Sequence, residues 1–430
     1  MVAERRLDGT RVLERLTCLP GGAALLELAA GREDVELVGG AVRDVLLGRE
    51  PRELDVVVAD GAGGFGVAAS DFAAGLAGRL GGELRAHERF GTAAVIARDA
   101  RIDVATRRAE SYPEPGALPR VGPGDGEQDL ARRDFTVNAI ALPLGGPCAG
   151  ELRAVAHALA DLRGGRLRVL HERSFSDDPT RLLRLCRYAV RLGFEVEPRT
   201  ALRAREALAR GALRTVSSAR VGAELRLLLG EPDPLAALGG LERGGVLADL
   251  APASAHLARA PLRLRLRPDT LAAALALLPA DGRPDLLALA SLLLDVPDPA
   301  VFELLDGWEY EAAERKVALE AATRSRDLAV GLTSAQRPSQ LAQLLRGAAV
   351  ETVALAAALG AESGRAAEWL GSLRHVRLEI TGDDLVAAGV APGPEVGRRL
   401  RRTLAGRLDG AIAPGRAAEL RAALAAEAGA

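Results

Sequence analysis

From residue 35 to about residue 145 the sequence alternates short runs of β-type residues with helical stretches, and after residue 150 almost every segment has helical periodicity broken by Gly or Pro. That switch restricts the chain to an α+β plan, a mixed head containing a sheet followed by an all-helical remainder. Composition agrees: aromatics are only 3% while Ala, Leu, Gly and Arg dominate, a recipe for a Leu/Val/Ala core and helix-on-helix packing. The 430 residues are about three times a typical single domain, so we divide the chain into a head (1–145) and two helical regions (146–260 and 261–430).

A net charge of −2 offers no global basic field, so a nucleic-acid site has to be local. Cys18, Cys148 and Cys186 are widely spaced with no CxxC pair, which suggests neither a zinc site nor a disulfide framework and fits a reducing cytoplasm. The start of the chain is charged throughout and lacks an apolar export core, and no later apolar run approaches the roughly 18 residues of a membrane span. The expectation is a cytoplasmic chain with no membrane contact and no obligate protein partner.

In the head, VELVG (35–39), ELDVVVA (53–59), TAAVIA (92–97) and RIDVAT (101–106) read as strands, and AVRDVLL after the glycine pair as a helix. The Pro/Gly-rich segment 112–128 reads as an irregular loop and a candidate active-site loop. Helical periodicity is clear over 177–194, 217–229 and 286–296.

Three constellations carry chemistry. Gly39 and Gly40 stand at a strand-to-helix turn, where a phosphate can approach the backbone and Arg43, one turn on, can clamp it; a plain tight turn is the alternative. Glu53 and Asp55 are two apart on a strand and so share a face, and Asp103 lies on another strand. Together they make a hard-oxygen site suited to one or two Mg2+ ions, unless they are surface salt bridges at a sheet edge. In DLARRDFTVNAIAL (129–142), Arg132 and Arg133 suit a triphosphate while Asp134 and Asn138 suit ribose hydroxyls, all within one helical turn; the alternative is a helix cap by Asp134 or Thr136. In DDPTRLLRLCR (177–187), Asp178 and Arg181 at i, i+3 on one helix present an acceptor and a donor fork to a nucleobase edge, and Arg184 and Arg187 extend a cationic stripe that is otherwise a solvated face.

GGAVRDVLLG with its acidic dyad, then IDVAT, RRDFTVNAIA and DDPTRLLRLCRYAVRLGF, taken in this order, resemble the class II tRNA nucleotidyltransferase and bacterial poly(A) polymerase family, which includes the CCA-adding enzymes. The motif match spans about residues 35–200, and SSARVGAELRLLL and the segment 380–404 look like this family's neck and tail. The resemblance implies a nucleotidyltransferase palm followed by a helical neck, body and tail, and addition of C and/or A from CTP and ATP to the tRNA 3' end with two Mg2+ ions. Poly(A) synthesis on general RNA and a catalytically weakened RNA-binding homologue are the alternatives. On that resemblance Glu53 and Asp55 match the metal-binding dyad and Asp103 its third carboxylate, while Gly40, Arg43 and Arg133 match phosphate contacts. Asp134 matches the ribose-reading acid, Asp178 and Arg181 the pair that reads ATP and CTP, and Arg184 and Arg187 further nucleotide contacts. Position 53 departs from the pattern, with Glu where Asp is usual.

His87, His157, His171, His256 and His375 form no adjacent His-Asp dyad, so the phosphohydrolase domain fused to some relatives is not expected; partly exposed or cap positions are. In the tail, PGPEVGRRLRRTLAGR (392–407) starts a helix after a Pro-Gly-Pro turn and concentrates Arg398, Arg399, Arg401, Arg402 and Arg407, a candidate grip on the tRNA backbone or a solvated charged helix.

Overall fold

Strand β1 (Val35–Val38) is buried at every position, Glu36 included, as expected of a strand covered on both faces. The Glu36 carboxylate is tolerated there because Arg107 Nη2 and Arg153 Nη1 approach it at 2.8 and 2.5 Å. This is a computed structural model, and it describes residues 7–60, 65–87, 91–250, 262–360 and 362–425. His256 lies outside them. The remaining sheet strands are β2 (Leu54–Val58), β3 (Glu83–His87), β4 (Thr92–Ile96), β5 (Arg101–Thr106), β8 (Ile140–Pro143) and β9 (Arg153–Ala154), in the order β3-β4-β5-β2-β1-β8-β9. β6 (Arg108–Ser111) and β7 (Arg120–Pro123) form a separate hairpin. All pairings in the larger sheet are antiparallel except β2 with β5.

Helices α1 (Gly9–Leu16) and α2 (Gly22–Ala29) precede the sheet, and α3 (Gly40–Leu46) follows β1 directly. Helix α4 (Val67–Leu80) packs on β4 and β5 through Ala69, Phe72, Ala73 and Leu76, and ends at Gly81, whose φ of 59° lets its N–H close on the Ala77 carbonyl. Helix α5 (Gly126–Ala131) begins with a capping box between Asp125 and Gln128. After α6 (Ala158–Gly164) come α7 (Ser174–Asp177) and α8 (Arg181–Leu192).

The sequence reading of 112–128 needs correction. β7 and the start of α5 fall inside it, because an edge strand tolerates Gly122 and a terminal Pro123, and Asp125 supplies a strong cap. The reading of 177–194 as one helix also changes. Pro179 separates α7 from α8, and Asp178, extended at φ −133°, sits in the break, so it does not share a helix with Arg181.

Contacts divide the chain into two units, Met1–Ser217 with Gly244–Asp249 and Ser218–Arg243 with Leu250–Ala430. Within the second unit, the helix at Pro284–Leu293 is buried at every position from Leu286 on, and the long helix Ala312–Ser334 packs along Val350–Gly360. Near the C-terminus, Gly382–Ala387, Pro394–Leu408 and Arg416–Leu424 enclose a small core of Ile380, Leu385 and Ala423.

Candidate active site

The parallel register of β2 and β5 sets Asp55 beside Asp103, and Glu53, one residue before β2, shares the Asp55 face. One carboxylate oxygen from each of the three lies within 4.8 Å of the others. The donor set is oxygen only, without nitrogen or sulfur, which fits a hard divalent cation. Burial pushes the Asp55 carboxyl up to about 7, and the charges of Glu53 and Asp103 push the same way against the pull of Arg133 and Arg43. Without a cation this cluster holds more negative charge than it can ionise at low cost. β2 and β5 are interior strands, so the acids do not decorate a sheet edge. A salt bridge is nevertheless present: Arg101 lies 3.3 Å from Glu53 and 3.1 Å from Asp103.

Gly39 joins β1 to α3 with φ 68° and ψ −130°, a conformation that excludes most side chains. A Cβ there would stand 2.6 Å from Arg133 Nη1, so the glycine makes room for that guanidinium over the turn. Arg133 Nη2 donates to Asp129 Oδ2 at 2.8 Å, whereas its buried Nε has no hydrogen-bond partner among the described residues. A buried donor without a partner beside an acidic cluster is what a bound phosphate oxygen would satisfy. Arg43 is placed differently from a phosphate clamp. It is 1% exposed and directed inward, with Nε 2.8 Å and Nη2 2.7 Å from Asp44 Oδ1 and Nη1 donating to Asn138 Oδ1.

Arg132, Arg133, Asp134 and Asn138 do not lie on one helical turn. α5 stops at Ala131, Arg132 caps it, and a short 3-10 turn spans Thr136–Asn138. Neither Asp134 nor Thr136 is an α-helix cap. Arg132 reaches Asp129 at 2.7 Å and Glu110 at 2.9 Å. Asp134 is buried and accepts from the Phe135 N–H and Asn138 Nδ2, both at 2.8 Å, and from Arg184 Nη2 at 2.6 Å. Burial alone would raise its pKa, but the Arg184 charge and the Asn138 hydrogen bond outweigh it and hold the carboxyl at about 2.

Asp178 accepts from the Thr180 backbone N–H at 3.1 Å and hydroxyl at 2.6 Å, which fixes the break before α8. Arg181 is buried and donates to Ser174 Oγ at 2.8 Å and to the Arg132 carbonyl at 2.7 Å, tying α8 to the arginine segment. Arg184 and Arg187 are not a solvated stripe: with Arg43 they surround the Tyr188 ring, at 5.6, 4.7 and 5.1 Å from its centroid.

Sequence reasoning missed Tyr188, Glu110, Asp129, Asp44 and Arg101. Two had a usable signal: Tyr188 is one turn beyond Arg184 on the same helix, and Arg101 is two residues before Asp103 on the same strand. Of the histidines, His157 immediately precedes α6 and is exposed, His375 is exposed and His171 half-buried. The three cysteines are free.

In the tail, Pro394 occupies the first helical turn as the Pro-Gly-Pro reading expected. The arginines there have internal partners that the reading did not foresee. Arg398 and Arg399 pair with Glu395, Arg399 also reaches the Ala423 carbonyl at 3.1 Å, and Arg402 the Ala425 carbonyl at 2.8 Å. Arg401 and Arg402 line a cavity of about 690 Å³ together with Arg346, Trp369, Arg374 and Arg377.

Among the described residues no helix is long and apolar enough to cross a membrane. The poly A polymerase head domain matches residues 35–168. A CC-adding tRNA nucleotidyltransferase of Deinococcus radiodurans is 36% identical over 88% of this chain and 86% of its own length. An A-adding tRNA nucleotidyltransferase of Geobacter sulfurreducens is 31% identical over 95% of this chain and 47% of its own. The chain thus spans about half the length of that relative, as it does of a second A-adding one. A CCA-adding enzyme of Thermotoga maritima, solved in complex with tRNA, is 26% identical with a TM-score of 0.73, covering 97% of this chain and 98% of that one.

Proposed function

Because the chain belongs to the tRNA nucleotidyltransferase family built on a poly A polymerase head, we propose that it adds C and/or A to the 3' end of tRNA, taking CTP and ATP and releasing pyrophosphate. The observation that carries this reading is the juxtaposition of the Glu53–Asp55–Asp103 cluster with the Gly39 turn and the unsatisfied Arg133 Nε. Two Mg2+ ions held by the triad would supply acidification of the primer hydroxyl and charge neutralisation at the triphosphate. Glu53, Asp55 and Asp103 hold the cations, and Arg133, passing over Gly39, holds phosphate oxygens. Arg43 keeps the turn in shape from beneath, through Asp44 and Asn138. Asp134 and Asn138 lie towards the ribose, while Asp178 and Arg181 read the base with Arg184 and Arg187 packed behind them. Residues 1–145 form the palm, 146–260 the neck and start of the body, and 261–430 the remaining body and tail.

The test is incubation with tRNA ending before CCA, before CA and before A, with each labelled nucleoside triphosphate in turn. Addition that stops after at most three nucleotides supports the reading; long oligo(A) on any RNA end would replace it with poly(A) synthesis. No metal-dependent incorporation on any substrate would leave an RNA-binding homologue.

Base choice is expected to depend on Arg181. Arg181→Ala should lower the kcat/KM preference for CTP and ATP over UTP and GTP by roughly 1–3 kcal/mol, about five- to 150-fold. Unchanged selectivity would mean that other groups read the base.

Arg398, Arg399, Arg401 and Arg402 are proposed to grip the tRNA backbone, and the cavity lining gives the larger share to Arg401 and Arg402. Replacing this last pair with Gln should weaken tRNA binding and flatten its salt dependence by about one unit of slope per lost phosphate contact. Arg398→Gln with Arg399→Gln should weaken binding less than the Arg401 and Arg402 pair does, because both side chains share their charge with Glu395. Equal affinity and slope in all four-residue, pairwise and parent chains would remove the tail from the binding surface.

A further inference from the structure

Arg101 stands where the acidic cluster needs a cation. β2 and β5 pair with Leu54 beside Ile102 and Asp55 beside Asp103, so the same register carries Glu53 beside Arg101. One face of the sheet therefore presents two adjacent cross-strand pairs holding three carboxylates and one guanidinium. The guanidinium forks onto Asp103, Nε donating to Oδ1 at 3.3 Å and Nη2 to Oδ2 at 3.1 Å, and its Nε also lies 3.3 Å from Glu53 Oε2, so it touches two of the acids. It has no other ion pair or side-chain hydrogen bond among the described residues, and about half of its side chain is exposed. A guanidinium has no lone pair to offer a metal, and it can be deprotonated by nothing in this site. Glu53 and Asp103 consequently cannot give their charge fully to Arg101 and to a divalent ion at once.

We propose that Arg101 is the resident counter-ion of the metal-free triad, held by Glu53 and Asp103 and displaced from at least one of them when a divalent cation enters, so that it lowers the affinity of the site for metal. The inference rests on the metal reading of the triad. Offsetting part of the cluster's negative charge in this way makes the incoming cation compete for its ligands. Exposed ion pairs are individually weak, so the competition is modest in size.

The experiment is Mn2+ binding to the full chain, read from loss of the free-ion signal in electron paramagnetic resonance. Arg101→Gln should bind Mn2+ about three- to tenfold more tightly than the parent. Arg101→Lys, which restores the charge without the two-pronged fork, should fall between the two. Arg85→Gln removes one positive charge from an exposed site on β3, where Arg85 pairs with Glu83 at 2.9 Å, and should bind like the parent. Equal or weaker binding by Arg101→Gln, or equal tightening in Arg85→Gln, overturns the proposal. Asp55→Ala separates this from failure of the underlying reading. If that variant binds Mn2+ like the parent, the triad is not the metal site and both fall; if it loses Mn2+ while Arg101→Gln is unchanged, only the role of Arg101 falls.

Discussion

Asp55→Ala should reduce nucleotide addition by roughly a thousandfold or more while leaving the fold intact, because it removes the middle carboxylate of a half-buried triad and no core contact. Incorporation of labelled CTP and ATP into truncated tRNA measures the loss, and retained activity would mean that the metal is held elsewhere. The same residue sets a pH dependence. Its carboxyl is pushed up to about 7 by burial and by Glu53, so the native metal-free chain holds this proton more tightly than the unfolded chain does. The contribution to stability is full below the ordinary carboxylate range and is lost as pH rises through about 7. Thermal midpoints in chelator should therefore fall between pH 5 and pH 8, a divalent cation should restore them at pH 8, and Asp55→Ala should flatten the profile.

Asp134→Ala should destabilise the unit that carries it by about 3 kcal/mol, the largest stability loss expected from a single change at the site. The variant removes the acceptor that the Phe135 N–H, Asn138 and Arg184 share, and leaves Arg184 beside Tyr188 and the wholly buried Arg43 without that negative charge. Asp134→Asn keeps an acceptor but not the charge and should lose less. Urea unfolding followed by a probe in this unit checks both, and a loss below 1 kcal/mol in Asp134→Ala would show that solvent takes over the role of the carboxylate.

Much of this site was legible in the sequence because its chemistry lies on regular elements. Glu53 and Asp55 at a spacing of two, and Asp103 inside a β-type run, give their shared face from strand geometry alone, and only the neighbour relation of β2 and β5 had to be supplied by the fold. What failed was helix continuity. DDPTRLLRL has helical periodicity through Asp178, yet Pro179 disfavours a helical residue before it, and the Asp178 side chain locks the break by bonding Thr180. RRDFTVN likewise has the spacing of a helical turn, while the chain leaves α5 at Arg132 and enters a 3-10 turn. Partner identity was the other gap. Arg43 reads as a surface clamp one turn into a helix, and nothing local says that Asn138, on a turn beside a different strand, closes over it. The tail shows the same limit: five arginines in one helix read as a cationic face until Glu395 and Glu419 are seen to take three of them.

The parallel pairing of β2 with β5 has a consequence for how the chain comes together. Between these strands lie α4, β3 and β4, so the first two acids leave the ribosome well before the third, and their partner strand cannot dock until the intervening excursion has closed. A growing or partly folded chain thus carries the dyad alone, without the ligand geometry for tight cation binding. Assembly of the three-carboxylate cluster is therefore a non-local event, completed only once β5 has docked beside β2.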